Sequence, residues 1–140
     1  MVYDNLSTGH IKNLESAKKN VSFTFIKGNL LDLESLKSAL TPDVDFVFHL
    51  AANADIRFGL QNPRRDIEQN ILVTFNVLEA MRSTGLKNIA FSSTGSVYGE
   101  PEIHPTPENA PFPIQTSTYA ASKIFNIKIR LALITIPKHI

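Results

Sequence analysis

The 140-residue chain has no cysteine. That absence excludes disulfides, thiolate metal sites and cysteine nucleophiles, and it fits a reducing compartment. Neither charge is in excess: 14 Lys and Arg stand against 13 Asp and Glu, and the basic residues are scattered. The electrostatic footprint of a nucleic-acid or anionic-membrane partner is therefore missing. No run approaches the ~20 apolar residues of a membrane span. Met1-Val2-Tyr3-Asp4 lacks the basic-then-apolar order of a signal peptide. These absences make the cytoplasm the expected location. His10, His49, His104 and His139 show no ligand spacing, so no metal site is expected. Glu100, Glu102 and Glu108 read as a solvated loop rather than a glycosidase pair. Glycine is also sparse: Gly9, Gly28, Gly59, Gly85, Gly95 and Gly99 stand far apart and form no phosphate-binding loop.

What the chain does contain is an alternation of strand and helix patterns, within a length that suits one domain with a core. Val2-Tyr3-Asp4 reads as a strand end followed by a polar turn, Asn5 to Gly9. Val21, Phe23 and Phe25 alternate as in a half-exposed edge strand over 21–26. Leu33, Leu36 and Leu40 space a short helix that Thr41-Pro42 closes. Phe46 to Leu50 is almost continuously apolar, the pattern of a strand buried on both faces of a parallel sheet. The next segment predicts a helix capped by Asn62, with Pro63 first and Gly85 just past its end. Its apolar stripe is Ile67, Ile71, Leu78 and Met81. A strand over 88–92, a proline-rich loop and a helix from about Ser117 follow. Strands separated by helices predict an α/β fold with a doubly wound parallel sheet.

Two clusters carry chemistry. Tyr119 and Lys123 lie four residues apart on a helix, hence on one face. An ammonium near a phenol favours the tyrosinate, which would suit Tyr119 to act as a base near neutral pH. Such pairs also arise on ordinary solvated helices. Ser92, Ser93 and Thr94 follow a parallel strand, at the edge where open α/β sheets bind ligands; a plain turn has the same composition. Asp4 ends an earlier strand, where an acid can hold a ribose diol. A carboxylate there repels a 2′-phosphate and so favours NAD over NADP. An ordinary turn aspartate is the alternative.

In order along the chain stand Asp4-Asn5-Leu6-Ser7-Thr8-Gly9, His49-Leu50-Ala51-Ala52, Asn76-Val77-Leu78-Glu79-Ala80, Ser92 to Gly99 and Tyr119-x-x-x-Lys123. This set resembles the NAD-dependent epimerase/dehydratases, a branch of the extended short-chain dehydrogenases/reductases, over residues 1 to about 123. The stretch Ser93 to Pro101, with Pro105 to Glu108 and Gln115-Thr116-Ser117, is most similar to the UDP-glucose 4-epimerases of that family.

The resemblance implies a Rossmann-like NAD-binding domain and a UDP-sugar substrate. Its cofactor residues would be Asp4 with Asn5, Ser7 and Thr8 at the adenosine ribose, and Asp32 and Leu33 at the adenine. Leu50, Ala51 and Ala52 would lie along the pyrophosphate and nicotinamide ribose, with Ser92, Tyr119 and Lys123 completing the set. Tyr119, Lys123 and Thr94 would be catalytic: Tyr119 takes the 4-hydroxyl proton, Thr94 bonds the sugar oxygen, and hydride transfer passes through a 4-keto sugar. Family dehydratases carry an Asp-Glu pair after this threonine, whereas Gly95-Ser96 stands here, which disfavours loss of water. A homodimer through the 63–84 and 117–133 helices is also implied.

Two departures set further expectations. Relative to the family, the first strand and Gly-rich loop are expected to be missing, and so is the sugar-binding C-terminal portion. Residues 1–140 would then be a partial NAD-binding domain. With the usual strand order 3-2-1-4-5-6, that loss splits the sheet and leaves two unpaired strand edges. Beyond Lys123 the sequence diverges, being rich in β-branched residues from Ile124 to Leu131 and ending Ile136-Pro137-Lys138-His139-Ile140. The alternatives to an epimerase are a non-catalytic remnant of one, or a related nucleotide-sugar decarboxylase or reductase.

Overall fold

The computed structural model describes residues 1–135; the divergent end at 136–140 lies outside the described residues. Four three-residue strands form: β1 (Val2–Asp4), β2 (Phe25–Lys27), β3 (Val47–His49) and β4 (Ile89–Phe91). They pair as two separate parallel sheets, β1 with β2 and β3 with β4. Val2 faces Phe25 in the first, and Val47 faces Ile89 in the second. The sheet thus parts where the family strand order anticipates a break.

The helices bridge that break. Asp32 starts α1 (Leu33–Ala39), its carboxylate accepting bonds from the Ser35 backbone N–H at 3.1 Å and hydroxyl at 2.7 Å. α4 (Val73–Thr84) packs between α1 and the long α5 (Thr118–Thr135). Leu36, Leu40, Val77, Leu78, Met81 and Ile89 form the buried core. Tyr3 of β1 and Val47 of β3 both pack on this cluster, so one helical layer carries both sheet halves. Each such aliphatic side chain contributes roughly 1.5–3 kcal/mol on full burial, more than a three-residue strand pair supplies alone.

The helix expected over 63–84 forms, but in three parts. Short α2 (Ile56–Gln61) precedes it, and α3 (Pro63–Asp66) leads into a π-helical turn, Ile67–Leu72, before α4. Asn62 makes no side-chain cap; its carbonyl accepts the Arg65 N–H instead, at 3.0 Å. Gly85 ends the run in the left-handed region with φ 81°, where a Cβ would be strained. The π turn breaks the expected apolar stripe. Leu78 and Met81 are buried, while Ile67 is exposed and the inward positions just before and within the turn are Asp66 and Asn70. A wider turn rotates the face that follows it, which strict 3.6-residue spacing does not anticipate.

Two strand expectations need correction. The edge strand over 21–26 shrinks to Phe25–Lys27, and Val21 is fully exposed. Asn20 bends the chain there: its side chain accepts Ser22 N–H at 2.9 Å and its carbonyl accepts Phe23 N–H at 3.0 Å. Phe46 to Leu50 is not buried on both faces. His49 is buried, but Phe48 is 72% exposed and Leu50 70%, and Phe46 stacks on Phe48 at 4.7 Å. Only one face of this strand meets the helical layer. α5, in contrast, runs unbroken through Ile124 to Ile129 despite their β-branched content, because α4 and the π turn hold it.

Candidate functional site

A cavity of about 230 Å³ opens between the two sheet halves. The turn after β1 supplies Asp4, Asn5, Ser7, Thr8 and Gly9; the loop after β3 supplies Leu50, Ala51 and Ala52. Seven of the sequence-predicted cofactor residues therefore meet at one place. The turn is built by short side-chain bonds. Asp4 Oδ1 accepts the Leu6 N–H at 2.6 Å, and Asn5 Oδ1 accepts the Ser7 N–H at 2.9 Å. Leu6 is held at φ 58°, an unusual conformation for a branched aliphatic residue. Gly9 leaves space beside the Asp4 carboxylate that a Cβ would enter. Gly28 lies against the end of the Tyr3 ring, which a Cβ there would have to displace.

Tyr3, Gly28, Asn29, Gln69 and Val73 also line this cavity, and motif matching missed them. Asn29 had a legible signal, because a polar turn after a strand bends through its own side chain. Its Oδ1 accepts the Leu31 N–H at 3.0 Å. Gln69 had none, since the π turn that presents it is not a sequence-level pattern.

The second group lies at the end of β4. Ser117 opens α5: its hydroxyl accepts the Ala120 N–H at 3.2 Å and its carbonyl the Ala121 N–H at 3.1 Å. One turn of helix then separates the buried Tyr119 and Lys123. Lys123 Nζ donates to the Ser92 carbonyl at 3.0 Å, 4.9 Å from the Phe91 ring centroid and 5.8 Å from that of Tyr119. Burial pulls its pKa below the ordinary lysine range. His49, opposite Phe91 in the ladder, pairs through Nε2 with Thr74 Oγ1 at 2.9 Å. Burial first, and the Lys123 charge second, push His49 down to about 4, so it is neutral at pH 7. Ser92 enters this group through its backbone oxygen, and its side chain is exposed.

The remaining predicted residues sit differently. Thr94 caps the short 3₁₀ turn Gly95–Tyr98: its Oγ1 accepts the Ser96 N–H and donates to Ser96 Oγ, each at 3.2 Å. Asp32 and Leu33 open α1 and do not line the cavity. The Ser35 bonds hold the Asp32 carboxyl below its usual range.

A buried polar network behind Tyr119 escaped the sequence reading. Asp66, Asn70, Ser122 and Asn126 are each 1% exposed. Asn70 Nδ2 donates to Ser122 Oγ at 2.9 Å, and Asn126 Nδ2 donates to the Asn70 carbonyl at 3.1 Å. Asn126 Oδ1 is buried with no hydrogen-bond partner among the described residues. The available signal was a row of polar residues four apart, Asp66, Asn70 and Thr74, that leads into the apolar Leu78. Among the described residues, no group of three His, Cys, Asp or Glu side chains is placed to hold a metal, and no helix is long and apolar enough to cross a membrane.

Comparison with known proteins identifies the lineage of this arrangement. The UDP-glucose 4-epimerase of Mycolicibacterium smegmatis is 36% identical over 124 residues, covering 86% of this chain and 39% of that protein. The UDP-Glc/GlcNAc 4-epimerase of Campylobacter jejuni superimposes with a TM-score of 0.84 at 29% identity, covering 91% of this chain and 39% of that one. The UDP-glucose 4-epimerase of Thermus thermophilus, solved in complex with NAD, gives a TM-score of 0.80 at 34% identity over 93% of this chain and 41% of that one. The chain thus spans about two-fifths of the length of these relatives. The partial Rossmann-like fold with parallel strands is theirs. Residues 2–134 match the NAD dependent epimerase/dehydratase family, and the chain belongs to it.

Proposed function

We propose that this polypeptide is the nucleotide-binding part of an NAD-dependent nucleotide-sugar 4-epimerase, interconverting UDP-glucose and UDP-galactose. The observation that carries this reading is the placement of Lys123. It is buried, bonded to Ser92 O at 3.0 Å and beside the Tyr119 ring, next to the strand ends that border the Asp4 cavity.

The residues present fit a dinucleotide in part. At about 230 Å³ the cavity is smaller than the roughly 300–1,000 Å³ of whole-ligand pockets. It suits the nucleoside end alone, with Asp4 on the ribose diol and Asn5, Ser7 and Thr8 around it. Gly9 keeps that ground open. Leu50, Ala51 and Ala52 would line the path from there toward Tyr119 and Lys123. Asp32 and Leu33 would approach the adenine from the start of α1. Bound NAD supplies a hydride acceptor that returns the hydride to the sugar.

The protein's share is acid–base work and orientation. Tyr119 takes the proton of the sugar 4-hydroxyl and returns it after the 4-keto sugar has turned over. Lys123 supplies a fixed positive charge one helical turn from Tyr119, and its bond to Ser92 O keeps it from swinging away. Thr94 bonds the sugar oxygen by turning its hydroxyl proton from Ser96 Oγ to that oxygen while still accepting the Ser96 N–H. A homodimer through the 63–84 and 117–133 helices belongs to the same reading, because Leu72, Phe75 and Phe125 expose apolar surface there.

A dTDP-glucose 4,6-dehydratase of Streptomyces venezuelae also superimposes, with a TM-score of 0.84 at 26% identity. Gly95-Ser96 stands after Thr94, where the resemblance implies an Asp-Glu pair in dehydratases, and this argues against that chemistry here.

Calorimetry of the 140-residue chain with NAD tests the reading. Micromolar binding that weakens in Asp4→Ala and persists in Tyr119→Phe supports it, and UDP-glucose turnover is the next assay. A folded chain that binds no NAD would sink the claim for this polypeptide.

A further inference from the structure

The cavity and the Tyr119–Lys123 pair sit on different elements, so their relative position has to be set by something. One buried carboxylate bonds to a chain neighbour of each. Asp66 Oδ1 accepts Asn53 Nδ2 at 2.8 Å, and Asn53 is the residue directly after Leu50, Ala51 and Ala52. Asp66 Oδ2 accepts the Thr118 hydroxyl at 2.6 Å, and Thr118 is the residue directly before Tyr119. A third contact, from Asn70 Nδ2 at 3.4 Å, joins Asp66 to the π turn. Asn70 reinforces the same link, its Oδ1 accepting the Asn53 N–H at 2.8 Å.

The surroundings are shaped for this group. Asp66 is 1% exposed, and Gly59 of α2 approaches it so closely that a Cβ there would overlap the carboxylate and press on Thr118 Oγ1. Burying a carboxylate among neutral donors is costly unless both oxygens are bonded. Here both are. A neutral amide of the same shape would lose that match: it offers one acceptor and one NH₂ to a site where donors converge from two sides.

We infer that Asp66 is a positioning residue, fixing the loop that follows β3 against the first turn of α5 through Asn53 and Thr118. This rests on the reading that Tyr119 and Lys123 carry the chemistry. Without the Asp66–Thr118 bond the first turn of α5 is held only from Ser122 onward, and the seat of Lys123 between Ser92 O and Phe91 loosens. Misplacement of about 1 Å at such a distance is enough to weaken catalysis strongly.

The test follows Lys123 directly, by NMR of the ¹³C-labelled lysines through a pH titration, with Lys123→Arg to assign its signal. Asp66→Asn and Thr118→Val should both return Lys123 toward the ordinary lysine range and weaken NAD binding by roughly tenfold. Thr118→Ser, which keeps the hydroxyl, should restore wild-type behaviour in both. Thr118→Val serves alone if Asp66→Asn does not fold. An unchanged Lys123 titration in a folded variant of lower stability overturns the inference, leaving Asp66 as a core bond only. If wild type binds no NAD while Lys123 still responds to Thr118→Val, the positioning role stands and the proposed function falls.

Discussion

Lys123 and Ser92 lie 31 positions apart in the chain, and a 3.0 Å bond from the ammonium to the backbone oxygen joins them. The contact fixes α5 to the end of β4 and holds a positive charge beside Tyr119. It uses a main-chain acceptor, so no substitution at Ser92 itself removes it. Only changes at Lys123, or in what places α5, can do so.

Asp4 has two separable tasks. Asp4→Asn keeps an oxygen for the Leu6 N–H but removes the charge; Asp4→Ala removes both. NAD affinity is expected to fall about tenfold in each, ~1.4 kcal/mol. Stability is expected to fall by about 1 kcal/mol only in Asp4→Ala. Calorimetry and urea denaturation on the same samples separate the two effects. Equal stability loss in both variants would contradict the assignment of the turn bond.

His49 makes stability pH-dependent. Its folded pKa is about 4, against an ordinary value of about 6.5. Between those values the unfolded chain binds more protons, so stability rises with pH. The contribution is fully present above about pH 6.5 and is lost as pH falls toward 4, up to about 3 kcal/mol at ~1.36 kcal/mol per unit. Urea midpoints at pH 7 and pH 4.5, for wild type and His49→Gln, check this. The variant should lose the His49 part of the slope; an identical slope would refute it.

Gly59 is expected to reject any side chain. In Gly59→Ala the new methyl meets the Asp66 carboxylate and Thr118 Oγ1, with a cost of about 1–3 kcal/mol from crowding. Thermal unfolding reads it. A neutral result would show that Asp66 can move aside cheaply.

The two faces of the helical layer and of β3 predict opposite outcomes for apolar truncation. Leu78→Ala, at a site 1% exposed, should cost about 2–5 kcal/mol. Phe48→Ser should change stability by roughly 0.5 kcal/mol or less, since that ring is mostly in solvent. It should also raise solubility, measured by light scattering against concentration, because an apolar patch beside a free strand edge promotes association.

The alternation of strands and helices, the Gly85 stop and the Tyr119–Lys123 face were legible because each depends on local spacing or on one residue's backbone preference. The gathering of Asp4, Ser7, Thr8 and Leu50 to Ala52 at one cavity was legible through ordered motifs. What escaped depends on tertiary context. Phe48 has the sequence of a buried strand residue, yet burial depends on what covers it. Asn62 is a good capping residue whose side chain is not used. The inward turn of Asp66 and Asn70 rests on a π-helical turn, which shifts register by one residue and leaves no apolar period to count.

That polar seam also governs how α5 can dock. An apolar stripe on a helix repeats closely enough that a slip of one turn, about 5.4 Å, leaves similar side chains in contact. Asn70 opposite Ser122, with Asn126 reaching the Asn70 carbonyl, is a specific pairing: the polar groups one turn away, Asp66, Thr74 and Asn126, differ in size and donor count. A slipped helix would pair these groups with neighbours of the wrong size and donor count, leaving buried donors without acceptors. The seam therefore works as a key with a single notch: it gives up some apolar burial in exchange for one allowed depth of insertion, and that depth is the one that sets Lys123 against Ser92.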